Sequence, residues 1–145
     1  MIDFDELHAQ NHKITELSNV LGNLIHDRAV CDNPITSELF MRYIRTVKNH
    51  FELEDRSLYA KLLSHEDSAV KNTASLFLSG SSEIRRLFDS YCRRWCKKDT
   101  VQIGDYEKFL LETDGMFELV LNRIQDETEQ LYPLVKKVHE QLEAA

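Results

Sequence analysis

Glycine and proline are nearly missing from this chain, with four of the first and two of the second in 145 residues. So few turn-formers leave little room for the frequent tight turns of an all-β fold, and a few long helices are the remaining way to use the length. Cysteine is scarce as well. The three present (Cys31, Cys92 and Cys96) are an odd set that suits a reducing cytoplasm better than a disulfide scaffold, so a cytoplasmic location is expected. Positive charge is in deficit: 18 Lys and Arg against 25 Asp and Glu leave a net charge of -7, which argues against a nucleic-acid partner. No apolar run approaches a membrane span, so no membrane partner is expected, and "MIDFDELHAQ" has neither the basic nor the apolar region of a signal peptide. Nucleophile–base arrangements, phosphate loops and CxxC pairs are also missing, and no enzymatic activity is expected. What remains is a chain with 42% hydrophobic and 30% charged residues. One domain over residues 1–145 is expected, long enough to bury about two-thirds of its unfolded surface.

Apolar residues recur at helical spacing in four stretches. The first runs from Asp3, with Glu6 completing a capping box, and carries Leu7, Ile14, Leu17, Leu21, Leu24 and Ile25 on one stripe. After "RAVCDNPITSE" (28–38), Thr36 or Ser37 is expected to cap a second helix with the stripe Phe40, Ile44, Val47, Phe51, Leu58 and Leu62. Beyond "SHEDS" (64–68), a third carries Val70, Phe77, Ile84, Leu87, Phe88, Tyr91 and Trp95, and within "LSGSSE" (78–83) Ser81 or Ser82 could cap a new helix and split it in two. "KKDTVQIGD" (97–105) leads to a fourth with Phe109, Met116, Val120, Ile124, Leu131 and Val138, and Pro133 predicts a kink or break near Tyr132. The expected fold is all-α, an antiparallel up-down-up-down four-helix bundle.

Inside this pattern one segment occurs twice. "HFELEDRSLY" (50–59) and "RIQDETEQLY" (123–132) align His50 with Arg123, Glu54 with Glu127, and Leu58-Tyr59 with Leu131-Tyr132. Asn11-x-x-Ile14-x-x-Leu17 likewise matches Ser81-x-x-Ile84-x-x-Leu87, so helices one and two echo three and four. At about 100° per residue, Glu54 lies about 40° from the centre of its apolar stripe, with Glu127 similar and Ser81 inside its own. His50, Arg123 and Asn11 flank theirs. An up-down-up-down bundle brings all six to one level between the helices. Two inward carboxylates with a histidine make one of two arrangements: a metal site, or glutamates that reach the rim beside a core histidine.

"NHKITEL", "HFELEDRSLY" and "RIQDETEQLYP" resemble the hemerythrin-like (HHE cation-binding) family, a four-helix bundle with a di-iron site of histidines and carboxylates. The resemblance covers nearly the whole chain. It implies that His50, Glu54 and Glu127 stand at metal-ligand positions and that Asn11, Ser81 and Arg123 stand where the family has histidines. His12 is close to the first of these, but the phase of Ile14 and Leu17 places the ligand position at Asn11 and turns His12 away from the core. An arginine offers no lone pair to a metal. It can instead balance the carboxylates that metal charge balances in the family.

Two functions follow. The first is a hemerythrin-like bundle whose di-iron site is degenerate, with no bound cofactor, acting through a protein partner as a non-catalytic regulatory module. The alternative is an iron-binding protein that uses His50, Glu54 and Glu127 to respond to oxygen or redox state. Cys92 and Cys96, set among Arg93, Arg94, Lys97 and Lys98, are either a redox pair or two inert cysteines near a helix end. As helical residues four apart they would meet disulfide geometry only with distortion, so no lasting disulfide is expected.

Overall fold

A computed structural model describes residues 2–98 and 100–144. Among them, helix α1 spans Phe4–Ile25, α2 Pro34–Ser57, α3 Ala60–Leu63, α4 Ser68–Trp95, α5 Tyr106–Asp126 and α6 Tyr132–Ala144. A π-helical turn, Glu127–Leu131, joins α5 to α6, and a two-residue hairpin, β1 (Cys96–Lys97) with β2 (Thr100–Val101), follows α4. α1 packs on α2 and α5, and α4 packs on the same two, which is the antiparallel bundle expected of four amphipathic stretches. None of the helices is long and apolar enough to cross a membrane.

Local chemistry explains the helix ends. Asp3 caps α1 by accepting from the Glu6 N–H at 3.0 Å, while the Glu6 carboxylate turns to Gln10 instead of closing the box. α2 begins earlier than Thr36 or Ser37 would allow. Asn33 caps it by accepting from the N–H groups of Ile35 and Thr36, and Pro34 fills the first position, where its missing N–H is not needed. Ser37 is buried and accepts from the Val101 N–H, tying α2 to the hairpin. α2 also stops sooner than its stripe: Leu58 is the cap, and Leu62 lies on the one-turn α3.

α4 does not split at Ser81 or Ser82. Its buried face continues through Phe77, Ser81 and Ile84. Leu87, placed on the stripe by spacing, is 44% exposed, so the echo of α1 in α4 ends at Ile84. At Pro133 the chain bends its hydrogen-bond pattern without breaking the helix. The Tyr132 N–H donates to the Glu127 carbonyl, five residues back, and the inserted residue absorbs the clash a proline makes with the preceding turn.

The core has two apolar clusters. One holds Ile14 to Ile25 of α1, Phe40 to Phe51 of α2 and the rings of Phe88, Tyr91, Trp95, Phe109 and Phe117. The other holds Leu7, Leu58, Tyr59, Leu62, Phe77, Leu131, Tyr132 and Val135. Between them, on each of the four strands of the bundle, lies one polar level: Asn11, then His50 and Glu54, then Ser81, then Arg123 and Glu127, all buried.

Candidate functional site

The i, i+4 spacing of His50 and Glu54 stacks them on the inner face of α2, 0% and 1% exposed. Glu127 enters from the opposite corner as the first residue of the π-helical turn and is also fully buried. His50 Nε2 lies 3.3 Å from Oε1 of Glu54 and 3.3 Å from Oε1 of Glu127. One donor atom from each of the three fits within 4.8 Å of the others. The other imidazole nitrogen, Nδ1, meets Gln10 Oε1 at 2.9 Å. That contact orients the ring so that Nε2 faces the carboxylates.

Arg123 closes the cluster from α5. Its Nε donates to Glu127 Oε2 at 3.1 Å, and its Nη2 donates to the Tyr59 hydroxyl at 3.1 Å and to the Phe77 carbonyl at 2.8 Å. The guanidinium also lies 4.9 Å over the Phe77 ring. On the far side of the cluster the Tyr132 hydroxyl donates to Glu54 Oε2 at 2.8 Å and accepts from Asn11 Nδ2 at 3.3 Å. Asn11 Oδ1 is buried and has no hydrogen-bond partner among the described residues.

The two glutamates are not equivalent. Burial, then the charge of Glu127 and the hydrogen bond between the two, push Glu54 up to about 11. Burial would raise Glu127 as well, but hydrogen bonding to His50 and to Glu54, with the Arg123 guanidinium beside it, holds its carboxyl below the usual range. The proton therefore rests on Glu54 and is shared toward an ionised Glu127, whose counter-ion is Arg123.

Of the six positions placed at this level by spacing, five join the network: Asn11, His50, Glu54, Arg123 and Glu127. Ser81 is buried but turns aside, donating to Asp55 Oδ1 at 3.1 Å, and Asp55 is held in turn by Arg85 at 2.7 Å. His12 faces solvent beside Glu16, 3.6 Å away. Helical phase alone did not reveal Gln10, Tyr59 and Tyr132. The repeated Leu-Tyr of both segments was the available signal, since one tyrosine reaches each end of the cluster.

Cys92 and Cys96 lie elsewhere, packed against the aromatic cluster. Only Cys92 is helical; Cys96 has left the helix with extended backbone angles (φ -119°, ψ 117°), contrary to the reading of two helical thiols.

The family model described as Hemerythrin HHE cation binding domain matches residues 3–135. No curated protein and no solved structure matches the chain.

Proposed function

This chain belongs to the hemerythrin family, and from that premise we propose that it is a non-catalytic regulatory module acting through a protein partner, in which the Arg123 guanidinium and one proton take the place of a di-iron centre. The observation that carries the reading is the buried bond from Arg123 Nε to Glu127 Oε2 at 3.1 Å. The donor set does not fit two irons. It supplies one imidazole and two carboxylates, and the positions of three further histidines hold groups otherwise engaged: Asn11 on Tyr132, Ser81 on Asp55, Arg123 on Glu127. A guanidinium cannot ligate. Two divalent ions beside it would add like-charge repulsion in a poorly screened interior.

A bundle balanced in this way is stable without a metal, and its surface is then free to serve recognition. A second reading rests on a different observation. His50 Nε2, Glu54 and Glu127 converge within 4.8 Å, and Gln10 holds Nδ1 as outer partners of metal-bound histidines do. A single cation bound there would displace the proton from Glu54.

Metal analysis and the visible spectrum of protein purified from iron-supplemented cells separate the two. The expected result is no stoichiometric iron and no oxo-bridge absorption. Two irons per chain overturns the proposal. One metal ion per chain, lost on Glu127→Gln, establishes the second reading. In a companion experiment, Asn11→His, Ser81→His and Arg123→His together restore the family's histidines, and this variant is expected to bind cobalt where the parent does not.

A further inference from the structure

The C-terminal end of α4 carries a second constellation of reactive groups, away from the polar level. Cys92 sits in the last turn. Cys96 is the residue at which the helix stops: its N–H still donates to the Cys92 carbonyl, but its backbone is extended and it opens β1, paired with Val101. Four residues of helix separate the two Cα atoms by about 6 Å, inside the range of about 4.4–6.8 Å that a disulfide spans. What forbids a disulfide between helical residues four apart is the direction of the Cβ bonds. Rotation of Cys96 about its N–Cα bond, from the helical φ of about -63° to -119°, changes that direction. The two thiols are near enough for each to shift the other's ionisation, and both are free and half-buried.

We propose that Cys92 and Cys96 are a redox-active dithiol that reacts with low-molecular-weight disulfides and closes to an intramolecular disulfide. The roles are unequal. The neighbouring Cys96 thiol holds the Cys92 thiol below its ordinary range against the effect of burial, with Lys48 favouring the thiolate and Asp89 opposing it. The neighbouring Cys92 and burial push Cys96 up. Cys92 is therefore the attacking sulfur and Cys96 the resolving one.

The Cys92 thiolate attacks one sulfur of R–S–S–R. That S–S bond breaks, R–S⁻ leaves and takes a proton, and Cys92 carries the mixed disulfide. The Cys96 sulfur then gives up its proton and attacks the Cys92 sulfur, expelling the second R–S⁻, which takes that proton. Two protein thiols are oxidised by two electrons, and one small disulfide is reduced to two thiols. Because Cys96 already belongs to the hairpin, closure moves a two-residue strand and leaves α4 helical.

The test uses the full chain with oxidised glutathione, chelator present, followed by thiol counting in denaturant and by intact mass. The parent is expected to lose two of its three thiols together, without accumulating a glutathione adduct, and to recover both with reductant. Cys31, 2% exposed, is expected to stay reduced. Cys96→Ser is expected to stop at a stable adduct on Cys92, and Cys92→Ser to react about tenfold more slowly. A parent that keeps all three thiols, or that holds a lasting adduct, overturns the proposal. So does a Cys92→Ser chain that reacts as fast as Cys96→Ser. None of these readouts depends on whether the carboxylate cluster binds metal.

Discussion

His50 to Tyr59 and Arg123 to Tyr132 carry one ladder of residues at one spacing, yet their glutamates reach opposite states. Glu54 is held protonated and Glu127 is held ionised. One difference lies four residues upstream, where an imidazole precedes Glu54 and a guanidinium precedes Glu127; another is that the His50 imidazole also reaches across the bundle to Glu127. The backbones differ as well. The first copy ends its helix at Ser57 just past its glutamate, whereas the second continues through a π-helical turn into α6. Both tyrosines return to the polar level, and each serves the other copy. Tyr59 accepts from Arg123, and Tyr132 donates to Glu54. Two copies of one pattern can thus share a charge balance that neither holds alone. The comparison also shows that a carboxylate's charge in such a core depends on its cross-bundle partners more than on its place in the motif.

Removing the cation should break the asymmetry most. Arg123→Met leaves Glu127 ionised with only His50 and Glu54 as partners, and breaking such a buried pair costs about 3–5 kcal/mol. Denaturant melts with chelator should show that loss at alkaline pH and a smaller loss in acid, where Glu127 takes up a proton. Parent-like stability at alkaline pH would mean that the pair contributes nothing.

Exchanging one carboxylate at a time comes next. Glu127→Gln strands Arg123 and should cost about 2–3 kcal/mol near neutrality. The folded carboxyl of Glu127 is depressed, so its contribution is present above the unfolded value of about 4.3 and is lost as pH falls through the folded one. The penalty of Glu127→Gln should therefore narrow in acid. Glu54 behaves in the opposite sense. Its folded value of about 11 lies above the unfolded one, so its contribution is fully present only below the unfolded value and drains away as pH rises toward 11. Glu54→Gln, which cannot lose a proton, should match the parent to within about 1 kcal/mol in mild acid. It should then gain on the parent by up to about 1.4 kcal/mol per pH unit as the solution becomes alkaline. Parallel pH–stability curves for parent and Glu54→Gln would refute the location of the proton.

Tyr132→Phe removes one donor to Glu54 and strands Asn11, and about 1–2 kcal/mol is expected in the same melts. Tyr59→Phe, which removes one of three acceptors of Arg123, should cost less.

The smallest effect concerns Gly80. A Cβ there would stand 2.9 Å from Arg123 Nη1, so the bare helix backbone at this point makes room for the guanidinium. Gly80→Ala gains about 1 kcal/mol in helix propensity, which displacement of Arg123 should cancel in the parent. In the Arg123→Met background the gain should reappear. A double-mutant cycle measures the difference, and strict additivity would show that the two residues are independent.

Much of this was legible before any coordinates. The stripe of α5 and α6 is buried at every expected position, and the polar level falls where helical phase puts it. The start of α2 was misplaced because several residues of "DNPITS" can cap a helix, and the choice turned on Pro34 and on Ser37 being drawn to Val101. The split expected at "LSGSSE" rested on Ser81 or Ser82 as a helix cap, and the continuous buried face of α4 overrides that local preference.

Periodicity settled most of the residues that face inward, though not Leu87, and at what height they lie, because a turn of 3.6 residues converts sequence separation directly into a direction. It could not settle which of those residues bond to one another. Ser81 turns to Asp55, Tyr132 crosses to Glu54, Arg123 spans from Glu127 to Tyr59, and Cys96 leaves its helix for a strand. Hydrogen bonds form only within about 3.2 Å and along narrow directions. A buried carboxyl holds or releases its proton according to desolvation and the charges around it. Both depend on distances between helices far apart in the chain, and those distances exist only once the bundle has packed.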